Sequence, residues 1–405
     1  MANTILTPTA VTREALMILH QKLNFVGNIN RQYDSSYAKS GAKIGNDLKI
    51  RLPNQYTVRT GKTLQAQDTT ESSVTLSVAT QKGVDVNFST EELTMDLDDF
   101  SERILEPAMA RLAAEIEYDA LSMYKDVYNE VSDVGDTLAI ADVLFSQRKL
   151  NDNLAPMSNR CLLLTTKGQA DLVTAATTLY NDRTKVAQQY RRGLIGNDFF
   201  GYDKVYTNTL LYTHTTGSEA GADTGADVNG ANQTGASVTV DGTVTGTFKQ
   251  GDIVSFAGCS AVHPETKQTL GYLKQFVVTS DVATTYSSIP ISPSIVTSGA
   301  TQNVSASPTD GGIVYKQESD DSTAIAGSAD YEVNLGFHRD AFAFATADLV
   351  MPDGVDWSAR EVYDGISMRI VRDYDINNDN MPCRIDVLYG YKAIRPELAC
   401  RIGVN

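Results

Sequence analysis

Gly61-Lys62-Thr63 is the first place in this 405-residue chain where residue types suggest chemistry. A phosphate loop ends in Gly-Lys-Thr and cradles phosphate with its backbone amides, but it needs a glycine five residues before the Gly-Lys. That position is Tyr56. No G-x-S-x-G turn presents a serine nucleophile. His20, His214, His263 and His338 are isolated in sequence, with no neighbour at zinc-ligand spacing. Glu91, Glu92, Asp96, Asp98, Asp99, Glu102 and Glu106 form an acidic run that lacks the alternating Asp positions and glycine turn of a calcium loop. Its simpler reading is a solvated helix start favoured by the macrodipole. Asp373 and Asp375 are the kind of carboxylate pair found in most chains, too common to support a glycosidase. The reading is a non-enzyme with no cofactor and no metal.

Composition bounds the alternatives. With 42% apolar and 21% charged residues the chain has the make-up of a globular protein, and its length exceeds what one core usually serves. A net charge of −16 argues against a nucleic-acid binder, which needs a clustered basic surface. Residues 213–335 hold thirteen acidic residues against four lysines, so −9 of that charge is local. Cys161, Cys259, Cys383 and Cys400 form no C-x-x-C pair and read as reduced packing residues of a cytosolic protein. The first ten residues lack a cationic segment followed by an apolar run, and no stretch approaches the ~20 apolar residues of a membrane span.

The elements follow from periodicity. Val11, Ala15, Leu16, Ile18, Leu19, Leu23 and Val26 predict an amphipathic helix with no local partner, which must pack elsewhere, a neighbour being one option. Leu48, Ile50 and Leu52, then Val74, Leu76 and Val78, then Val84, Val86 and Phe88, alternate as half-buried strands. The first two runs predict a long hairpin around Gly61. Apolar residues from Ile104 to Val127 predict a long helix, with Pro107 in its first turn or at a kink. Two further helices, 142–150 and 166–178, flank a buried strand at 161–164, and strands return at 341–345, 366–374 and 384–391. Between them, residues 213–237 are almost wholly Thr, Gly, Ala, Ser, Asn and Asp, too poor in apolar area to fold alone, and predict a mobile loop. Strand runs from Val238 onward, with an Asp241-Gly242 turn, predict a small β-barrel or sandwich.

Charge patterning supplies an assembly hypothesis. Residues 31–62 carry seven basic and two acidic residues, and the acidic run at 91–106 offers the opposite field. Lys49, Arg51, Arg59 and Lys62 on one subunit would then dock on Glu91, Glu92, Asp96, Asp98, Asp99 and Glu102 of another. A second basic cluster, Arg183, Lys185, Arg191 and Arg192, is a solvated or intersubunit loop in preference to a DNA contact.

The order of parts resembles the major capsid protein of tailed bacteriophages, the Hong Kong 97 type α+β fold, and within it the coat proteins of Salmonella-type podoviruses. The residues that carry this are Lys249-Gln250-Gly251-Asp252-Ile253-Val254-Ser255-Phe256-Ala257-Gly258, Arg111-Leu112-Ala113-Ala114-Glu115-Ile116-Glu117, Cys383-Arg384-Ile385-Asp386-Val387-Leu388-Tyr389-Gly390 and Arg395-Pro396-Glu397. Each is weak alone; their colinearity spans nearly the whole chain. The resemblance implies an N-terminal arm (1–40), an extended loop (41–88), a peripheral domain with a spine helix (89–135 and 346–405), an axial domain (136–212 and 336–345) and an inserted β-barrel-like domain (213–335).

It also implies many copies closing an icosahedral shell of pentamers and hexamers around double-stranded DNA, with DNA met only by non-specific proximity. Scaffolding and portal proteins are implied partners, with a decoration protein as a further one and no membrane. The virion is the implied location, assembled in the host cytoplasm. Glu14 stands where the family's arm meets the scaffolding protein, although Arg13 replaces an acid beside it. In the family the insert's long loop reaches an adjacent capsomer; here Glu219, Asp223 and Asp227 occupy its place with no Lys or Arg, so its partner must be basic. The insert is expected to fold semi-independently of the axial core. Two rivals remain: a non-viral nanocompartment shell of the same fold, and covalent cross-linking between subunits.

Overall fold

In the computed structural model, the structure describes residues 8–34, 47–64, 66–68, 71–88, 106–176, 200–219, 226–242, 246–316, 327–363, 365–376 and 381–404. Two compact units divide the chain, one from residues 1–52, 73–121 and 342–394, the other from 53–72, 122–341 and 395–405.

The first unit is an open sheet covered by helices. Its centre is the thirteen-residue strand β19 (Met381–Ala393), which pairs antiparallel with β4 (Thr80–Phe88), β18 (Ile366–Arg372) and β16 (Phe342–Ala347). Beyond these lie β17 (Trp357–Tyr363) against β18 and β1 (Asn30–Asp34), parallel to β16. Helix α1 (Pro8–Lys22) lies on β17, β18 and α2 (Glu106–Leu121). The arm, which has no local partner, therefore packs on distant residues of its own chain rather than on a neighbour. Val11, Ala15, Leu16 and Leu19 on its helical stripe are buried, and the partner surface comes from residues far away in sequence, which periodicity cannot reveal. Glu117 of α2 fixes the end of the arm by accepting the amides of Asn24 and Phe25 at 3.0 and 2.6 Å. Pro107 sits in the first turn of α2, where its missing N–H costs nothing.

The second unit contains a sheet in the order β5 (Glu130–Asp133), β20 (Ala399–Val404), β15 (Asp330–His338), β6 (Arg160–Leu164), β7 (Lys204–Thr207), with β8 (Thr213–Thr215) also on β15. Every residue of β6 and β20 is buried. That continuous burial, with parallel pairing of β5 to β20 and β6 to β7, marks a sheet covered on both faces. Helices α3 (Ile140–Asp152) and α4 (Thr166–Ala176) supply cover.

Between β8 and β15 the chain forms a second β structure. Its order is β14 (Val314–Lys316), β11 (Ile253–Val262), β12 (Thr269–Val278), β13 (Ser288–Ile295), β10 (Gly235–Gly242), β9 (Ala226–Val228). A bridge from Asp227 to Ile313, with Val228 and Gly311–Gly312 exchanging backbone bonds, closes the last strand onto the first. The result is a six-stranded barrel filled by Val238, Phe248, Val254, Phe256, Phe276 and Ile291. Closure leaves no free edge for another chain. Asp241-Gly242, expected as a turn, instead ends β10 by pairing with Asp227 and Ala226. Long-range pairing has overridden a local turn signal there.

Candidate assembly surfaces

The hairpin is the clearest exposed device. Strands β2 (Asp47–Arg51) and β3 (Ser73–Ser77) pair Leu48 with Leu76 and Ile50 with Val74. Their apolar face rests on Ala343, Ala345, Ala347 and Ile394. The approach is so close that a side chain at Gly390 would collide with the Ser77 carbonyl. Period-two alternation then forces Lys49 and Arg51 to the opposite, solvent face, and both are exposed.

Beyond β2 the chain is tied by its own side chains. Gln67 accepts from the Thr57 amide at 2.9 Å and donates to its carbonyl at 2.5 Å. The Arg59 guanidinium donates to the carbonyls of Gly61 and Thr63, so it closes the turn on which Gly61 takes φ +97°. Arg59 is therefore partly spent on its own loop, while Lys62 stays exposed. Tyr56, Val58 and Leu64 are 59%, 95% and 81% exposed, an apolar tip without cover among the described residues. Charge had drawn attention to the hairpin; these three apolar residues were missed, and their isolation within a polar stretch was the available signal.

The acidic partners proposed for this hairpin, Glu91, Glu92, Asp96, Asp98, Asp99 and Glu102, lie outside the described residues, as do Asp223 and the basic cluster at 181–192. Glu14 and Arg13 are exposed on α1.

The insert departs from expectation. Glu219 is buried: its carboxylate accepts the Gly246 amide at 2.9 Å and the Tyr286 hydroxyl at 3.2 Å. Lys316 Nζ, also fully buried, donates to the Gly217 and Glu219 carbonyls at 2.7 and 3.0 Å. Asp227 is on β9, where it closes the barrel. Neither residue belongs to a reaching loop, which corrects both assignments; the small polar composition around them serves tight backbone packing. At Gly217 and Gly246 an added side chain would collide with Thr247 and Glu219.

Nor does the barrel stand apart from the sheet that flanks it. Residues 122–341 and 395–405 form one compact unit, and a buried polar network runs through it. Arg401 of β20 meets Glu130 of β5 at 2.6 Å with both side chains fully buried, and its Nη1 donates to the Gly251 carbonyl at 2.9 Å. Asp252 accepts from the amides of Gly217 and Lys249 and from His214 Nε2 at 2.9 Å. In that tautomer His214 Nδ1 accepts the Tyr124 hydroxyl at 3.0 Å. Gln275 of β12 copies a neighbouring strand, donating to the Glu130 carbonyl and accepting its amide, both at 2.9 Å, while Lys149 donates to the same side-chain oxygen. Lys274 stacks over the Tyr128 ring at 4.4 Å, and burial pushes its amine down to about 8. Ile253 and Val277 pack on Tyr128 from outside the barrel. This explains why β11 opens with four consecutive buried residues: one face fills the barrel and the other meets the sheet.

Chemically the network is a brace. A Tyr-His-Asp chain could relay protons, but Tyr124, His214 and Asp252 are all buried beneath packed residues. Among the described residues, no three His, Cys, Asp or Glu side chains gather as metal ligands, and no helix is long and apolar enough to cross a membrane. The four cysteines are free and buried.

Among solved structures, the chain is similar to the capsid of cyanophage P-SCSP1u (10% identity, 93% of this chain and 86% of that chain covered, TM-score 0.48). It is also similar to a chain of Mycobacterium phage Che8 (12%, 94% and 90%, 0.42) and to the mature capsid of bacteriophage PhiM1 (11%, 95% and 87%, 0.43). No curated protein sequence matches. The family model described as "P22 coat protein - gene protein 5" matches residues 21–404. That match spans nearly the whole chain, through hairpin, barrel and closing sheet alike: the protein belongs to the P22 coat protein family and is a phage major capsid protein, a subunit of the shell.

Proposed function

We propose that this subunit works entirely by self-association, with no catalytic step, and that the hairpin of residues 47–77 is its principal reach toward neighbours. The observation that carries this is the hairpin's split character: an apolar face held by its own chain, a cationic face with Lys49 and Arg51 exposed, and an apolar tip at Tyr56, Val58 and Leu64. Burying such a tip stabilises association by about 1.5–3 kcal/mol per large side chain. Charge on the flank sets orientation more than affinity. Weak contacts of this kind become a stable closed shell when multiplied over many copies.

In this reading the acidic run at 91–106 of a neighbour receives the cationic face. Pentamers and hexamers then close an icosahedral shell around double-stranded DNA, assembled in the host cytoplasm with scaffolding and portal proteins. Glu14, exposed on α1, is the candidate scaffolding contact. The sequence-based division into arm, loop, peripheral, axial and inserted parts is retained as the functional organisation, with the insert bracing the axial part.

Negative-stain microscopy and sedimentation velocity of the purified chain test the proposal. Wild type should give closed shells or tubes. Lys49→Glu combined with Arg51→Glu should leave subunits folded by circular dichroism yet reduce shells, and Val58→Asp should do so more strongly. Unchanged assembly in both variants would remove the hairpin from the interface.

A further inference from the structure

At the start of β6 the second unit holds a cavity of about 120 Å³ lined by Gln147, Met157, Arg160, Gly201, Tyr202 and Asp203. Arg160 is only 1% exposed. Its Nε donates to the Pro156 carbonyl at 2.8 Å, and its Nη2 donates to Asn151 Oδ1 at 2.8 Å and to the Ala155 carbonyl at 2.6 Å. Its Nη1 is buried and has no acceptor among the described residues. A guanidinium has five donors in a fixed fork, so anchoring two corners leaves the third held rigidly in place. A buried donor without an acceptor is costly, and a charged one more so.

The acid on the cavity wall, Asp203, accepts a hydrogen bond elsewhere, from the Asn159 amide. The exposed apolar side chain on the lining is Met157, 71% exposed. Gly201, at φ +78°, is where a side chain would collide with the Gln147 amide, so glycine keeps that amide at the wall. An exposed apolar side chain beside a desolvated arginine is the layout of a protein–protein hot spot.

We propose that this cavity receives the carboxylate of an acidic side chain from a second copy of the chain, which accepts from Arg160 Nη1 as subunits meet in the shell. The proposal rests on the shell-forming function and names a contact within it. Charge selects the occupant: the unmet group is a cation, and each copy offers 50 Asp and Glu against 34 Lys and Arg. Asp203 tempers the attraction, so a single docking event is weak and is held only by avidity across the shell.

Gln147→Glu supplies a carboxylate from within the subunit, and Met157→Asp places one on the exposed rim, where folding is indifferent to it. Both should raise the concentration needed for assembly by about tenfold, while the thermal midpoint of the Gln147→Glu subunit stays level or rises. Asp203→Asn keeps the bond to Asn159 but removes the opposing charge, and should lower the assembly concentration. Wild-type levels of assembly in folded Gln147→Glu and Met157→Asp subunits would overturn the contact. No effect of Asp203→Asn would overturn its carboxylate nature, and a high-resolution shell showing only water at Arg160 Nη1 would overturn both. Failure of the wild type to form shells would instead count against the shell function, so the two are separable.

Discussion

The two units differ in how far their arginines are buried. In the first, arginines line a sheet surface: Arg384, 59% exposed, pairs with Asp85 and shares the buried Asp386 with Arg369, and Arg372 pairs with a half-exposed Asp356. In the second, Glu130 and Arg401 meet with no exposure at all, beside Asp252, His214 and Lys316. Exposed pairs are free to rearrange and contribute little; buried ones must be met in one geometry and are costly to break. The open sheet can therefore tolerate deformation of its surface, whereas the barrel and its flanking sheet are fastened at a fixed attitude within their unit.

The most direct way to break this contrast is Arg401→Ala, which leaves the buried Glu130 carboxylate without its cation. It should lower subunit stability by about 3–5 kcal/mol in urea unfolding; a cost near that of a surface pair would erase the distinction. Gln275→Leu removes the barrel's bonds to the Glu130 backbone and to Lys149, and should cost about 1–3 kcal/mol. Hydrogen exchange would sharpen the result, because the Glu130 amide should lose protection before the barrel core does.

A pH series isolates Lys274. Its folded pKa of about 8 lies below the unfolded value, chiefly through burial, with Lys149 adding to the shift and Glu397 opposing it. Between pH 8 and 10 the unfolded chain binds the extra proton, so stability should rise with pH, by about 1–2 kcal/mol. Lys274→Met should reduce that rise, leaving the part that belongs to Lys316 and Lys267, whose amines burial also pushes down. Above pH 10 the neighbouring Tyr128, whose pKa burial raises, reverses the trend: the unfolded tyrosine ionises first. The smallest effect belongs to the first unit, where Arg384→Ala should change stability by no more than about 0.5 kcal/mol.

Local periodicity made much of this fold legible. The alternation at Leu48, Ile50 and Leu52 gave both the strand and the face that packs, and the helical stripe from Val11 to Leu19 gave α1. What it could not give was the partner. The arm's cover comes from β17, β18 and α2, over eighty residues away, and no pattern within α1 encodes that. The insert was legible as a barrel or sandwich but not as which of the two, because closure depends on the three-residue β9 hidden in a Gly- and Thr-rich stretch. Acidity misled at Glu219: charge count cannot tell a solvated carboxylate from one that binds a buried amide. The hairpin's charged flank was readable, whereas the Arg160 cavity has no sequence signature, since its parts come from α3, β6 and the approach to β7.

The position of β20 sets a schedule. Asn129 donates to the Ala399 carbonyl 270 residues further along, and Glu130 waits for Arg401 just beyond it. At roughly 5–20 residues per second, a ribosome needs on the order of 15–55 seconds to supply that strand. In the closing part of this interval, once β15 has emerged, β5 and β15 lack the strand that lies between them, while every strand of the barrel has already been made. The barrel can form from nearby contacts and hold its buried acids and amides in place, so that the last strand enters a site half built. Nascent chains are thus most vulnerable to sticking at that open seam, and a cell making many copies at once must bridge the delay.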